Sequence, residues 1–252
     1  MSIRPRRKTS PSELVKIFQE LFDLIEKYGA QIKTFTENQY HNLKLKFDGK
    51  SIAVIGPKQA GKTTFVNILK NPNYEVDTMN YTPTQGFESF KSTSIRYKIP
   101  LSKDKKVQSI TFKLKKPKDV GGEESYRDNG EWADVCKESD FLFYIFDSFE
   151  HSQNMKMQDR IIQDLKWIAD NNQLFAQSFG IIIFVNKIDR FSSKEYYDKW
   201  ISDNLSKFEK DVRKALNGFE EHLLLISPIS MQSKSTRANV ISSALLKVTE
   251  RK

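Results

Sequence analysis

Cysteine is almost absent: Cys136 is the only one in 252 residues. A single thiol closes no intrachain disulfide and builds no cysteine-based zinc site, and it suits a reducing compartment. Long apolar runs are lacking too. None approaches the roughly 20 residues that span a bilayer, and the opening MSIRPRRKTS is too polar for a secretory signal. These absences predict a soluble, cytoplasmic protein. Acidic residues are in deficit, 32 against 41 Lys and Arg, which leaves a net charge of +9. Lysines and arginines scattered over a surface mostly serve solubility. Two places are denser: the tip with Arg4, Arg6, Arg7 and Lys8, and the stretch from Lys98 to Lys118, which holds eight lysines. Neither interleaves exposed aromatics with its charge, so nucleic acid is disfavoured as a partner.

The hydrophobic fraction, 38%, is enough to bury a core, and the length allows one good-sized domain with an appendage. Residues 1–10 read as a basic, flexible tip. From Pro11 to about Phe47 the residues Leu14, Phe18, Leu21, Ile25, Tyr28, Ile32 and Phe35 recur at steps of four and three. That heptad-like seam predicts a helical leader over 11–48, started by Pro11 and weakened at Gly29. Packing on the following domain is the plainest role for it, with self-association or partner binding through 11–48 as the alternatives.

From residue 49 to 252 the pattern changes. Short apolar runs at 51–56, 141–147, 179–186 and 222–227 are continuous enough to be buried on both faces, as strands of a parallel sheet are. Helical patterns lie between them, at about 62–70, 153–171, 195–216 and 235–249. Two alternating segments, about 87–99 and 106–116, predict a hairpin with one antiparallel edge. The fold class is therefore α/β, mostly parallel and doubly wound, preceded by an N-terminal helical segment.

The first predicted strand runs into Gly56-Pro57-Lys58-Gln59-Ala60-Gly61-Lys62-Thr63, followed by Thr64. This is the G-x-x-x-x-G-K-T phosphate loop: its glycines let backbone N–H groups face phosphate oxygens at a helix start. Lys62 would span the β- and γ-phosphates, and the Thr63 hydroxyl would coordinate Mg²⁺. A chance match in a chain of this length has odds on the order of 1 in 100. At the end of another apolar run stands Asn186-Lys187-Ile188-Asp189. The Asp189 carboxylate can accept from guanine N1–H and its 2-amino group, whereas adenine would leave it desolvated and unpaired. Between the two lies Asp119-Val120-Gly121-Gly122, placed for Asp119 to reach Mg²⁺ through a water and for the Gly122 N–H to touch a γ-phosphate.

With these motifs in this order, residues 50–250 resemble the small GTPases of the Ras superfamily, closest to the Arf-like and signal-recognition-particle-receptor-β-like branch. The closer likeness rests on Pro83-Thr84-Gln85-Gly86-Phe87, on Asp-Val-Gly-Gly at 119–122, on Phe146-Asp147-Ser148 at a strand end, and on Arg127. The resemblance implies a P-loop G domain that binds GTP or GDP with Mg²⁺. It implies that Thr84 is the second Mg²⁺ ligand, and that Ser227-Pro228-Ile229-Ser230 is the last guanine-contacting loop, with Ile229 and Ser230 at the base. It also implies protein effectors and an activating or exchange protein.

Two residues depart from the family pattern. Glu123 holds the place of the water-positioning glutamine, and a carboxylate accepts without donating and adds like charge beside the phosphate. Slow unaided hydrolysis is therefore expected, with Glu123, Lys62, Thr84 and Gly122 as the catalytic set. Lys58 puts a cation on the phosphate loop, where it either stays solvated or reaches transition-state charge. The alternative is a GTP-locked scaffold with negligible hydrolysis, recruiting partners through its switch surface and leader. Ser2 in place of glycine and an ending in Glu250-Arg251-Lys252 give no lipidation signal. Peripheral membrane contact would then fall to the basic tip, the leader or the lysine-rich hairpin.

Overall fold

A computed structural model describes residues 37–76, 93–99, 108–115, 127–128, 130–176, 179–191, 196, 199, 201–232 and 237–250. Six strands form one sheet: β1 (Ser51–Ile55), β2 (Thr93–Ile99), β3 (Gln108–Lys115), β4 (Phe141–Asp147), β5 (Gly180–Asn186) and β6 (Leu223–Pro228). Their order is β2-β3-β1-β4-β5-β6. All neighbours are parallel except β2 and β3, the predicted antiparallel hairpin. The chain leaves β1 toward β3 on one side and later returns to build β4 on the other. Loops at the carboxyl ends therefore diverge beside β1 and open a crevice there.

Burial follows the sequence pattern. Every residue of β1, β4 and β5 is buried, as their unbroken apolar runs predict. β6 departs from that expectation: Leu223, Leu225 and Ser227 are buried, while Leu224, Ile226 and Pro228 are half-exposed. It ends the sheet on one side among the described residues, so its second face is covered less completely. In the hairpin, Ile95, Tyr97 and Ile99 alternate inward from β2, and Ile110, Phe112 and Leu114 from β3.

Helices cover both faces of the sheet. On one side α1 (Glu37–Phe47), α2 (Lys62–Lys70) and α7 (Arg237–Glu250) pack Leu43, Phe47, Phe65, Ile68, Ile241 and Leu245 against Ile52, Val54, Phe143 and the hairpin's buried residues. On the other, α3 (Glu131–Cys136), α5 (Met155–Asp170) and α6 (Ser206–Leu216) pack Trp132, Ile161, Leu165, Ile168, Phe208 and Val212 against Ala53, Ile55, Leu142, Tyr144 and Phe146. α1 is pinned as well as packed: Tyr40 Oη donates to the Ser109 carbonyl (3.2 Å), and Asp48 Oδ1 accepts from the Thr111 N–H (2.7 Å). The remainder of the predicted leader, including the whole heptad seam, lies outside the described residues. α7 is tied to β2, where the buried Tyr97 hydroxyl meets the Ala238 carbonyl (2.9 Å) and Ser242 Oγ (2.6 Å).

The predicted helix at about 153–171 is α5, and the structure adds the short α4 (Ser148–Gln153) before it; Asn154 separates the two by leaving helical geometry (φ −131°) and accepting from the Lys156 N–H. The helical part of 195–216 described as continuous begins with a π turn, Ile201–Leu205, that runs into α6. No described helix is long and apolar enough to cross a membrane.

Candidate functional site

The carboxyl ends of β1, β4, β5 and β6 bring the sequence motifs together. β1 passes into a loop that needs two glycines. Gly56 has φ 140°, and a Cβ there would strike the Ile145 carbonyl oxygen on β4. Gly61 has φ 99°, and its Cβ would strike Asn186 Nδ2. Both positions combine a left-handed backbone with close approach, so no other residue fits without strain. Gln59 also has positive φ, 60°. The loop delivers the chain into α2, whose first turn has no side-chain cap, so its leading N–H groups lie at the mouth of the crevice. Lys62 Nζ donates to the carbonyls of Gly56 (3.0 Å) and Pro57 (2.7 Å), arching over the loop it closes. Lys58 is exposed, and Thr63 and Thr64 are half-buried on the first turn of α2.

The loop after β5 meets this one directly. Asn186, 2% exposed, donates from Nδ2 to the Ala60 carbonyl (2.8 Å), while its Oδ1 is buried with no hydrogen-bond partner among the described residues. Lys187 takes the left-handed conformation (φ 62°) and turns the chain into the short 3₁₀ segment Ile188–Arg190. Asp189 lies against the loop after β6, accepting from Ser230 Oγ at 2.5 Å. Burial raises its carboxyl above the usual carboxylate range; the Ser230 hydroxyl and Lys187 pull it partly back, and Asp147 adds to the rise. The Ile229 N–H donates to the Val185 carbonyl (2.9 Å), so that donor is spent on the sheet, and the Ile229 side chain is buried. A cleft of about 250 Å³ opens between the loops, lined by Gln59, Gly61, Thr64, Asn186, Lys187 and Asp189 of the predicted set.

Four residues that the motifs did not single out also line it: Val76, Arg190, Met231 and Gln232. Asp147, from the Phe146-Asp147-Ser148 strand end, works from behind the cleft. Its Oδ1 caps α4 by accepting from the N–H groups of Phe149 (3.0 Å) and Glu150 (3.1 Å). Its Oδ2 receives Lys187 Nζ (3.0 Å) and Arg190 Nη1 (2.7 Å). Arg190 in turn lies over the Phe149 ring, 4.6 Å from its centroid. Ser148 completes the brace by donating from Oγ to the Asn186 carbonyl (2.7 Å). The signal was present in sequence: Asp147-Ser148-Phe149-Glu150 directly after an apolar run is a helix-start pattern.

Arg127 is placed as well. It donates to Asp164 Oδ1 (3.0 Å) from the segment that follows the Asp-Val-Gly-Gly motif, and Tyr144 Oη donates to Asp164 Oδ2 (2.7 Å). Burial lifts the Asp164 carboxyl to about 6 against the pull of Tyr144, Arg160 and Arg127. Thr84, Asp119, Gly122 and Glu123, with the rest of 83–87, lie outside the described residues.

The described residues contain no cluster of three His, Cys, Asp or Glu side chains that could cage a metal by themselves. The donor at this site is the Thr63 hydroxyl beside a phosphate-shaped loop. That set fits Mg²⁺, which retains waters and takes nucleotide phosphate oxygens rather than a full protein cage.

Fold and loops together define a P-loop nucleotide-binding α/β protein of the GTPase type. The model of the ADP-ribosylation factor family matches residues 37–216, well over half of the sequence, and the chain belongs to that family. It is accordingly a GTP-binding protein of the Arf-like GTPase class. Among solved structures, the Arl6 BBS3 small GTPase from Trypanosoma brucei with bound nucleotide analogue GppNp is similar at 13% identity and TM-score 0.49, over 81% of this chain and 99% of that one. The mammalian SRP receptor is similar at 15% identity and TM-score 0.47, over 79% of this chain and 100% of that chain. No curated protein matches the sequence significantly.

Proposed function

We propose that this protein is a molecular switch that alternates between GTP and GDP, hydrolyses GTP slowly by itself and relies on a partner to accelerate the step. The observation that carries the reading is the junction of the two nucleotide loops, where Asn186 of the guanine motif holds the Ala60 carbonyl of the phosphate loop across a cleft lined by Asp189 and Gly61. A nucleotide with phosphates at one end and guanine at the other matches that arrangement, because each end meets the donor or acceptor type it needs.

In this reading the loop N–H groups from Gly56 to Thr63 and the Lys62 ammonium bind the β- and γ-phosphates. Asp189 orients the base through its carboxylate, and Lys187 lines the same end. Thr63, Thr84 and, through water, Asp119 would hold Mg²⁺, which would neutralise phosphate charge when bound. Gly122 donates its N–H to the γ-phosphate. Glu123 accepts a proton-bearing edge of the attacking water and orients it, but it cannot also donate to the phosphate. That missing donor is why the unaided rate is low. Effectors and an activating or exchange protein would read the segments around Thr84 and Gly122.

The test is to load the full chain with GTP and Mg²⁺, remove the excess and follow bound nucleotide by chromatography over hours. Slow conversion to GDP is expected, slower still in Glu123→Ala. Equal rates in the two proteins would remove Glu123 from the mechanism. GTP that persists unchanged, alone and with cell extract, would instead make this a GTP-locked scaffold.

A further inference from the structure

The hairpin β2–β3 has one face in the core and one face left exposed or half-exposed among the described residues. Inward go Ile95, Tyr97, Ile99, Ile110, Phe112 and Leu114. Outward, by the two-residue period of a strand, go Ser94, Arg96, Lys98, Ser109, Thr111 and Lys113, all exposed or half-exposed. The core on that side of the sheet, under α3, α5 and α6, takes no residue from β2 or β3. β2 also ends the sheet among the described residues. Among the described residues, the outward side chains of these two strands include three cations and no carboxylate, apolar or aromatic group. Antiparallel register puts Arg96 opposite Thr111 and Lys113 opposite Ser94, so the cations alternate with small hydroxyl residues instead of crowding one another.

The sequence shows how concentrated this charge is. Residues 96–118 hold nine Lys and Arg against Asp104 alone, so this stretch carries +8 of the chain's +9. Scatter for solubility would have spread it.

We propose that the outward face of β2–β3, through Arg96, Lys98 and Lys113, docks the protein on an anionic lipid surface. The chemistry of the face selects this occupant. Protein interfaces are built around an apolar, aromatic-rich centre depleted in lysine, the reverse of what is present. Single-stranded nucleic acid is held by aromatic platforms, and none lies on this face. A layer of acidic headgroups needs neither a centre nor a platform, only cations near its plane, each worth about a fivefold gain in partition. With no apolar side chain to insert, the contact is electrostatic and reversible, and it weakens as salt rises.

Co-sedimentation of the full chain with vesicles tests this, comparing phosphatidylcholine alone with phosphatidylcholine containing phosphatidylserine. Binding is expected on the mixed vesicles only and should fall with added salt. Arg96→Gln/Lys98→Gln/Lys113→Gln should lower partition on the order of 100-fold, while Arg96→Lys/Lys98→Arg/Lys113→Arg should keep it. Circular dichroism melts show whether the variants fold, independently of nucleotide binding. A second comparison replaces Arg4, Arg6, Arg7 and Lys8 by Gln. The proposal is overturned if the folded triple Gln variant binds like the parent, if neutral vesicles bind equally, or if the tip replacement alone abolishes binding. Binding to a single-stranded RNA homopolymer without binding to vesicles would overturn it in favour of nucleic acid.

Discussion

Replacing Tyr144 by Phe removes one hydroxyl from a buried set of charges, and the cost should depend on pH in a calculable way. Tyr144 is 0% and Asp164 1% exposed, and the lost hydrogen bond is 2.7 Å long. Arg127 still pairs with Oδ1, and Arg160 stands 4.0 Å from Oδ2, too far to replace the hydroxyl. Leaving that oxygen short of a donor costs about 1–3 kcal/mol at pH 7.5, where Asp164 is ionised. Asp164 holds its proton up to about pH 6 in the folded protein, against 3.8 as the ordinary value. The native state thus binds a proton more tightly than the unfolded state between those limits. Lowering the pH from 7.5 to 5 stabilises the wild type through this group by about 1 kcal/mol, starting from the raised value. The variant lacks the hydroxyl that favours the carboxylate, so its carboxyl moves higher still and gains more from the same acidification. Its deficit should therefore shrink by on the order of 1 kcal/mol at pH 5. Urea unfolding of both proteins at the two pH values measures the difference, and groups that titrate alike in both cancel. A deficit that stays constant, or grows on acidification, would refute the assignment of a buried, tyrosine-stabilised carboxylate.

Gly61→Ala should weaken GDP binding by roughly 10- to 100-fold in a fluorescent-nucleotide titration, from left-handed strain plus loss of the Asn186–Ala60 bond; unchanged affinity would separate that bond from the site. Arg190→Ala leaves Lys187 alone to neutralise Asp147, so guanine-nucleotide release should quicken by roughly two- to tenfold, with partial rescue by Lys, in a stopped-flow displacement assay. Ser230→Ala removes the hydroxyl that holds down the Asp189 carboxyl. Because the proposed contact of Asp189 with the base needs the ionised form, the acid limb of the affinity–pH profile should move to higher pH, and an unmoved limb would exclude Ser230 from tuning Asp189.

Much of this site could be read from sequence because its parts obey local rules. The phosphate loop needs Gly56 and Gly61 where the backbone turns left-handed, and those requirements leave a fixed spacing in the chain. β4 and β5 are buried on both faces, so their apolar runs were unbroken and their ends, where Asp147 and Asn186 sit, were plain. Met231 and Val76 were not legible, since each comes to the cleft from a segment outside the quoted motifs, and Arg190, next to Asp189, shows its role only through Asp147, 43 residues earlier. α4 was hidden for a different reason: its six residues, Ser148–Gln153, are too few to show a helical repeat, and only the Asp147 cap marks its start. β6 looked as deeply buried as β5 because composition alone does not tell an edge strand from an inner one.

The Asn186 amide has a kinetic consequence. Its side chain holds the phosphate loop at Ala60, and its carbonyl is held by Ser148 at the start of α4. The loops proposed to grip the two ends of a nucleotide therefore share one joint and are not independent clamps. A state with phosphates released and base still held would have to keep that joint closed while one loop moves away, and the buried hydrogen bond opposes this. Release should accordingly be all-or-none, a single exponential with no lingering half-bound species, and anything that displaces α4 reaches both ends of the ligand at once.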